Sequence, residues 1–272
     1  MPEPRARRRS FAINDLPGFS TIAIVVFAAL YAPILILVFY SFNAGESVSQ
    51  WQGFSLQWYR IAWQNDQVKE ATLVSLQVAT AAAVISTALA TLAALGTTRR
   101  KDFRGQTFIY VMINQPLMVP EIVTAVALLL LTAALKKVTG YTGLGYLILA
   151  HSAFCIPFAY LPIRARLEGM DMTLETAAAD LYASRWQTFR RVTLPLLMPA
   201  IFAGAMLGFV TSLDDVVITE FIKSPGQDTL PTYMLGQLRR AMKPDVNAIS
   251  AALLAFTLVL LSLFYLLNRT KK

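Results

Sequence analysis

Charge is what this chain has least of. Of its 272 residues only 15% are Asp, Glu, Lys or Arg, and it has one cysteine and one histidine. A single cysteine, Cys155, excludes an internal disulfide, and its place in an apolar run reads as a small packing residue. With no second histidine and no cysteine at ligand spacing, His151 gives no support to a metal site and reads as a hydrogen-bonded packing residue. No G-x-x-x-x-G-K-S/T loop is present to cradle phosphates, so the chain is not expected to hydrolyse ATP itself. No nucleophile–base arrangement points to an enzyme.

What fills the space is apolar surface. Residues of that class make up 56% of the chain, and the mean hydropathy is +0.53, beyond the range of a soluble domain. Residues 16–45, 71–98, 138–163, 192–213 and 246–268 contain no Asp, Glu, Lys or Arg, and 105–135 is broken only by Glu121. About 20 apolar residues cross a bilayer as a helix. The chain is therefore expected to be all-α, a polytopic membrane protein with six spans near 21–42, 73–95, 106–135, 146–163, 198–213 and 246–267. No repeat or low-complexity stretch divides it, so one membrane domain is expected between a basic tail, 1–20, and a short tail, 268–272.

The net charge of +8 reports orientation rather than nucleic-acid binding. With the N-terminus inside, two thirds of the lysines and arginines fall on inner segments, among them Arg5 to Arg9, Arg99 to Arg104, Arg190 and Arg191. No basic run is interleaved with stacking aromatics, so no nucleic-acid partner is expected. The Arg-rich start followed by an apolar run imitates a signal peptide. Its length and lack of a small-x-small cleavage site favour an uncleaved first span.

Three stretches carry polar chemistry. In the third run, Pro116 and Pro120 remove backbone donors and are expected to kink or break the helix, with Glu121 following at once. An intramembrane carboxylate reads as a pathway residue, and near the interface as a helix-end group; Glu121 fits either. Asp214 and Asp215 at the end of the fifth run likewise read as pathway carboxylates or as a helix end bonding its own backbone. The third stretch, 164–195, is a polar island between two spans. Thr173 can cap a helix over Leu174–Ala183, and Ser184 to Gln187 has capping-box form, starting a second short helix that ends before Pro195.

That island resembles the EAA loop of the membrane subunits of binding-protein-dependent ABC importers, of the form E-A-A-x-x-x-G followed nine residues later by I-x-L-P. Ala177, Ala178, Asp180, Leu181, Ala183, Val192, Leu194 and Pro195 match in register. The motif's Glu falls on Thr176, with Glu175 one place early, and its Gly falls on Tyr182. Pro120-Glu121-Ile122-Val123, Phe154-Cys155-x-Pro157-Phe158, Ser212 to Val217, Leu230-Pro231 and Pro244 to Ala248 look like the spermidine/putrescine permease branch.

The resemblance implies a type I importer half in a bacterial inner membrane, with both termini cytoplasmic. It implies a second, similar permease subunit, two cytoplasmic ATPase subunits that bind ATP and magnesium, and an external solute-binding protein, with no cofactor on this chain itself. It casts Glu175, Thr176, Ala177, Ala178, Asp180, Leu181, Tyr182, Ala183, Leu194 and Pro195 as the surface that docks on the ATPase. The cargo it implies is a polyamine, for which Glu121, Asp214 and Asp215 are the candidate route. The alternatives are another amine, opine or amino-acid derivative in the same machine, or a secondary transporter working without ATP.

Overall fold

A backbone in lipid has no water to bond, so apolar runs of this length close their hydrogen bonds as helices. The computed structural model describes residues 18–47, 50–99, 104–240 and 244–269. They form α1 (Phe19–Tyr40), α2 (Gln57–Gln64), α3 (Asp66–Arg99), α4 (Gln106–Met118), α5 (Glu121–Thr139), α6 (Gly145–Glu168), α7 (Thr173–Asp180), α8 (Arg185–Thr188), a π-turn (Phe189–Thr193), α9 (Leu194–Asp214), α10 (Val217–Ile222), α11 (Leu230–Arg240) and α12 (Asp245–Arg269). Among the described residues six helical stretches are long and apolar enough to cross a membrane. The tail residues Arg5, Arg7, Arg8, Arg9, Lys271 and Lys272, with Arg100, Lys101 and Lys243, lie outside the described residues.

The chain divides into two compact units. One comprises α1, the segment that follows it to Ala62, and α12 to Leu254. Its α1 is exposed along its length, an apolar face for lipid or a partner. After α1 the backbone is pinned by Asn43, whose amide donates to the carbonyls of Ser47 (2.9 Å) and Gln50 (2.8 Å) and whose side-chain oxygen accepts from Gln52 N–H (2.7 Å). Trp51 stacks on Phe39 at 4.4 Å and helps to hold this segment.

The other unit runs from Trp63 to Ala241 and includes the rest of α12. Its interior is set by buried residues, nearly all small, recurring every fourth position. Ala82, Ser86, Ala90 and Ala94 face inward from α3, Cys155, Ala159 and Ile163 from α6, and Gly204, Gly208 and Ser212 from α9. In lipid no hydrophobic force pulls helices together, so close van der Waals approach must do so. The approach is close indeed: a Cβ on Gly204 would lie 2.8 Å from the Ala159 carbonyl oxygen. The Cys155 thiol meets the Gly208 carbonyl at 3.3 Å, and Thr97 and Tyr160 share a buried hydroxyl contact of 2.9 Å between α3 and α6.

Two spans differ from the sequence expectation. The stretch 106–135 is two helices, because Pro120 forces Val119 into an extended conformation (φ −103°, ψ 139°). Pro116, by contrast, sits inside α4. The short helix expected after Ser184 starts as α8 but does not end before Pro195: it runs on through the π-turn into α9, one helical stretch from Arg185 to Asp214 that includes the span expected at 198–213. The π-turn explains this: Leu194 N–H bonds back to Phe189 O, shifting the ladder by one residue just before Pro195, where a donor is missing. The first residues of the island, Arg164 to Glu168, extend α6.

Gly204→Leu therefore forces α6 and α9 apart, and we expect it to cost about 1–3 kcal/mol. Gly236 is different: a Cβ placed there would meet nothing within 4 Å, so alanine should be accepted without loss. Thermal unfolding of the two detergent-purified variants checks the contrast.

Candidate functional site

Two polar arrangements stand out from this apolar frame, both within the Trp63–Ala241 unit. The first is α7 and its flanks. Helix α7 buries no residue of its own. Asp171 accepts the Thr173 N–H at 2.9 Å, and that backbone bond holds its carboxyl below the usual carboxylate range. Thr173 is thus inside the helix rather than its cap, and the helix ends at Asp180, short of the expected Ala183. It ends in a Schellman motif, with Ala183 N–H bonded to Ala178 O (3.0 Å) and Tyr182 N–H to Ala179 O (2.9 Å).

This geometry requires a left-handed residue at position 182, and Tyr182 supplies it at φ +58°. Among the described residues it is the one non-glycine with positive φ. The tyrosine therefore takes on the backbone geometry of the glycine it replaces, at a cost of about 1–2 kcal/mol. It also projects outward. Tyr182 is 97% exposed and Leu181 82%, with Trp186 beside them also exposed.

Around that tip, Thr176, Ala177 and Asp180 are exposed, and Ala178 and Ala183 are half-buried. Thr176 spends its hydroxyl on Met172 O within the helix (3.1 Å). Glu175 turns the other way. Its Oε1 accepts from Arg99 at the end of α3 (2.7 Å) and from the Thr193 hydroxyl in the π-turn (2.9 Å). Ser184 and Gln187 form the expected capping box at the start of α8. Leu194 is half-buried and Pro195 exposed at the start of α9.

The second arrangement is a buried polar cluster where α5, α6, α9 and α10 meet. Glu121 follows α4 after two residues and is the first residue of α5. Its carboxyl lies near that of Asp215. Asp215 caps α10, accepting from Ile218 N–H (3.3 Å), Thr219 N–H (2.9 Å) and the Thr219 hydroxyl (2.8 Å).

His151, fully buried, completes the chain through Ser212 Oγ at Nδ1 (2.7 Å) and Thr219 Oγ1 at Nε2 (2.9 Å). Thr219 gives its only proton to Asp215, so it accepts from His151 Nε2–H. Asp214, one residue away, points outward and is exposed. Glu121 thus lies near Asp215, while Asp214 stands apart. The sequence pattern did not mark Arg99, Thr193, Ser212 and Thr219 as site residues. Apart from Asp215, four positions from Thr219, their partners lie 18 to 76 positions away, and no local spacing marks them.

Comparison with known proteins puts this fold in context. The model of the family described as "Binding-protein-dependent transport system inner membrane component" matches residues 86–270. The chain is 38% identical over 269 residues to the putrescine transport system permease protein PotI of Escherichia coli (strain K12), covering 96% of each. It is 36% identical over 254 residues to the spermidine/putrescine transport system permease protein PotC of the same strain, covering 93% of this chain and 94% of that one. A chain of a bacterial ABC transporter involved in the import of the acidic polysaccharide alginate superposes with a TM-score of 0.73 over 93% of this chain and 94% of its own. At 15% identity that likeness concerns the fold alone.

Replacing Tyr182 by glycine should relieve the left-handed strain and slow amide exchange at Ala183 about 5-fold, corresponding to ~1 kcal/mol of local stability. Hydrogen exchange on the detergent-solubilised chain measures this directly.

Proposed function

The chain belongs to the family of binding-protein-dependent transport system inner membrane components, and from that membership we propose that it is the permease subunit of an ATP-driven importer of polyamines such as putrescine and spermidine. The observation that carries the cargo is the 38% identity to a putrescine permease across 96% of both chains. As a family member it is a multi-pass membrane protein that works with a solute-binding protein. In our reading both termini and the α7 end are cytoplasmic, as the distribution of lysine and arginine indicates. A second permease subunit of the same type completes the translocation path. Two ATPase subunits bind and hydrolyse ATP with magnesium.

The α7 tip is the docking element. An exposed leucine and tyrosine, displayed on a backbone turn that costs free energy to form, make sense where a partner covers them. ATP-driven closure of the ATPase pair moves α7, and the packed block of α3, α6 and α9 rocks with it to alternate access. Small residues at Ala177 and Ala178 keep the helix slim enough for close approach. This surface also supports an ATP-driven importer over an ATP-independent transporter, which has no motor to meet there.

The cargo is a multivalent cation, and a cation crossing an apolar layer needs anionic steps. Glu121 and Asp215 supply such a step where the helix break at Pro120 frees backbone carbonyls nearby. Asp214, exposed at the end of α9, serves as an entry carboxylate on the same reading. Another small amine would use the same steps, and competition for uptake distinguishes the cargoes.

The test is ATP-dependent uptake of labelled putrescine into vesicles carrying the full assembly. Leu181→Asp combined with Tyr182→Ala should lower uptake at least about 10-fold, the loss expected for an apolar hot spot, with membrane insertion unchanged. Undiminished uptake would remove α7 from the drive. Glu121→Ala should raise the KM for putrescine several-fold, about the effect of one lost charge-assisted contact; an unchanged KM would remove it from the route.

A further inference from the structure

The function proposed above gives α7 the role of receiving a push, but α7 buries no side chain of its own against the rest of the protein. Something other than packing has to pass the displacement on. Polar bonds tie this solvent-facing helix of 8 residues to its neighbours, and one group stands out. Glu175 is the side chain of α7 that turns inward, with 19% of its surface exposed. A single oxygen, Oε1, receives both the Arg99 guanidinium at 2.7 Å and the Thr193 hydroxyl at 2.9 Å.

These partners come from the two helices that matter. Arg99 is the last residue of α3, and Thr193, itself buried, is the last residue of the π-turn that leads into α9. Both helices belong to the close-packed block with α6. The three bonded residues line an open pocket of about 310 Å³ together with Leu95, Ala179, Ala183, Arg185, Thr188 and Phe189. A displacement of α7 can be transmitted here through hydrogen bonds to both helices at once.

We propose that Glu175 is a positioning residue that clasps α7 to the ends of α3 and α9 through Arg99 and Thr193, so that motion of α7 moves both spans together. This deepens the reading of the chain as an ATP-driven permease and rests on it. It also gives Glu175 a duty inside its own chain: its carboxylate is occupied by Arg99 and Thr193, and the partner-facing surface is left to Leu181 and Tyr182. The π-turn is part of the device, since it sets Thr193 in register with Glu175 while carrying the helix into Pro195.

The clasp is tested in two arms on the full chain. In the first, hydrogen exchange of residues 173–183 is compared between wild type, Glu175→Ala and Thr193→Val. Loss of a charge-assisted bond at this partly shielded site should speed exchange about 5- to 10-fold in Glu175→Ala and less in Thr193→Val. Unchanged exchange in both overturns the clasp, whatever the cargo.

In the second, the assembly is reconstituted and the putrescine imported per ATP hydrolysed is measured. Glu175→Ala should lower that ratio about 5-fold or more while ATP hydrolysis continues, and the exchanged pair Glu175→Arg with Arg99→Glu should recover part of it. Uptake and hydrolysis falling in parallel, with the ratio constant, would mean a structural role only and overturn the proposal. A wild-type assembly that hydrolyses ATP but imports no putrescine counts against the polyamine cargo, and the exchange arm then decides the clasp alone.

Discussion

The absence of water around a backbone in lipid is the constraint on which the rest depends. It makes every long apolar run a helix, and it removes the hydrophobic force that would hold those helices together. What replaces that force is proximity. Ala159 and Gly204 approach so closely that no side chain fits between them, and the thiol of Cys155 and the hydroxyls of Thr97 and Tyr160 find partners across the same seam. The same constraint governs the buried polar groups. His151, Ser212, Thr219 and Asp215 form a chain in which each hydroxyl and ring nitrogen has a partner, and Asp215 also satisfies the first amides of α10.

Where the seam ends, the rules change. At the α7 end the protein no longer economises on exposed apolar surface, and it holds a tyrosine in a left-handed conformation to display it. A rigid small-residue block attached to a thin, exposed helix is a natural division between load and lever. The block moves as a unit because it is close-packed. The lever engages a motor because it is not. Between them stand few contacts, and those at Glu175 are the directional ones.

Much of this could be read from the sequence, and the reasons differ by element. The six spans follow from composition alone, and the family follows from several short matches in order. The break at Pro120 followed from proline chemistry, whereas the tolerance of Pro116 and Pro195 depended on neighbours and a π-turn that no local pattern announces. Tyr182 at the glycine position of the motif was legible as a departure; that it adopts the glycine's backbone could be settled only by the Schellman bonds to Ala178 and Ala179. Glu175 was legible as a displaced motif residue. Its partners were not, because Arg99 is 76 positions away. Asp214 and Asp215 look equivalent in sequence, and the end of α9 separates them into an exposed and a buried carboxyl.

The central claim is that the α7 tip meets the ATPase and that this contact drives transport. Cys155 is buried, so Tyr182→Cys introduces a thiol that stands alone in accessibility among the described residues. A thiol-to-amine cross-linker applied to the intact assembly, followed by identification of the joined chains and measurement of putrescine uptake, examines both halves at once. The account predicts a cross-link to the ATPase subunit, whose formation varies with ATP, and arrest of uptake in proportion to its yield. No cross-link to the ATPase, or full uptake in the cross-linked assembly, would contradict it.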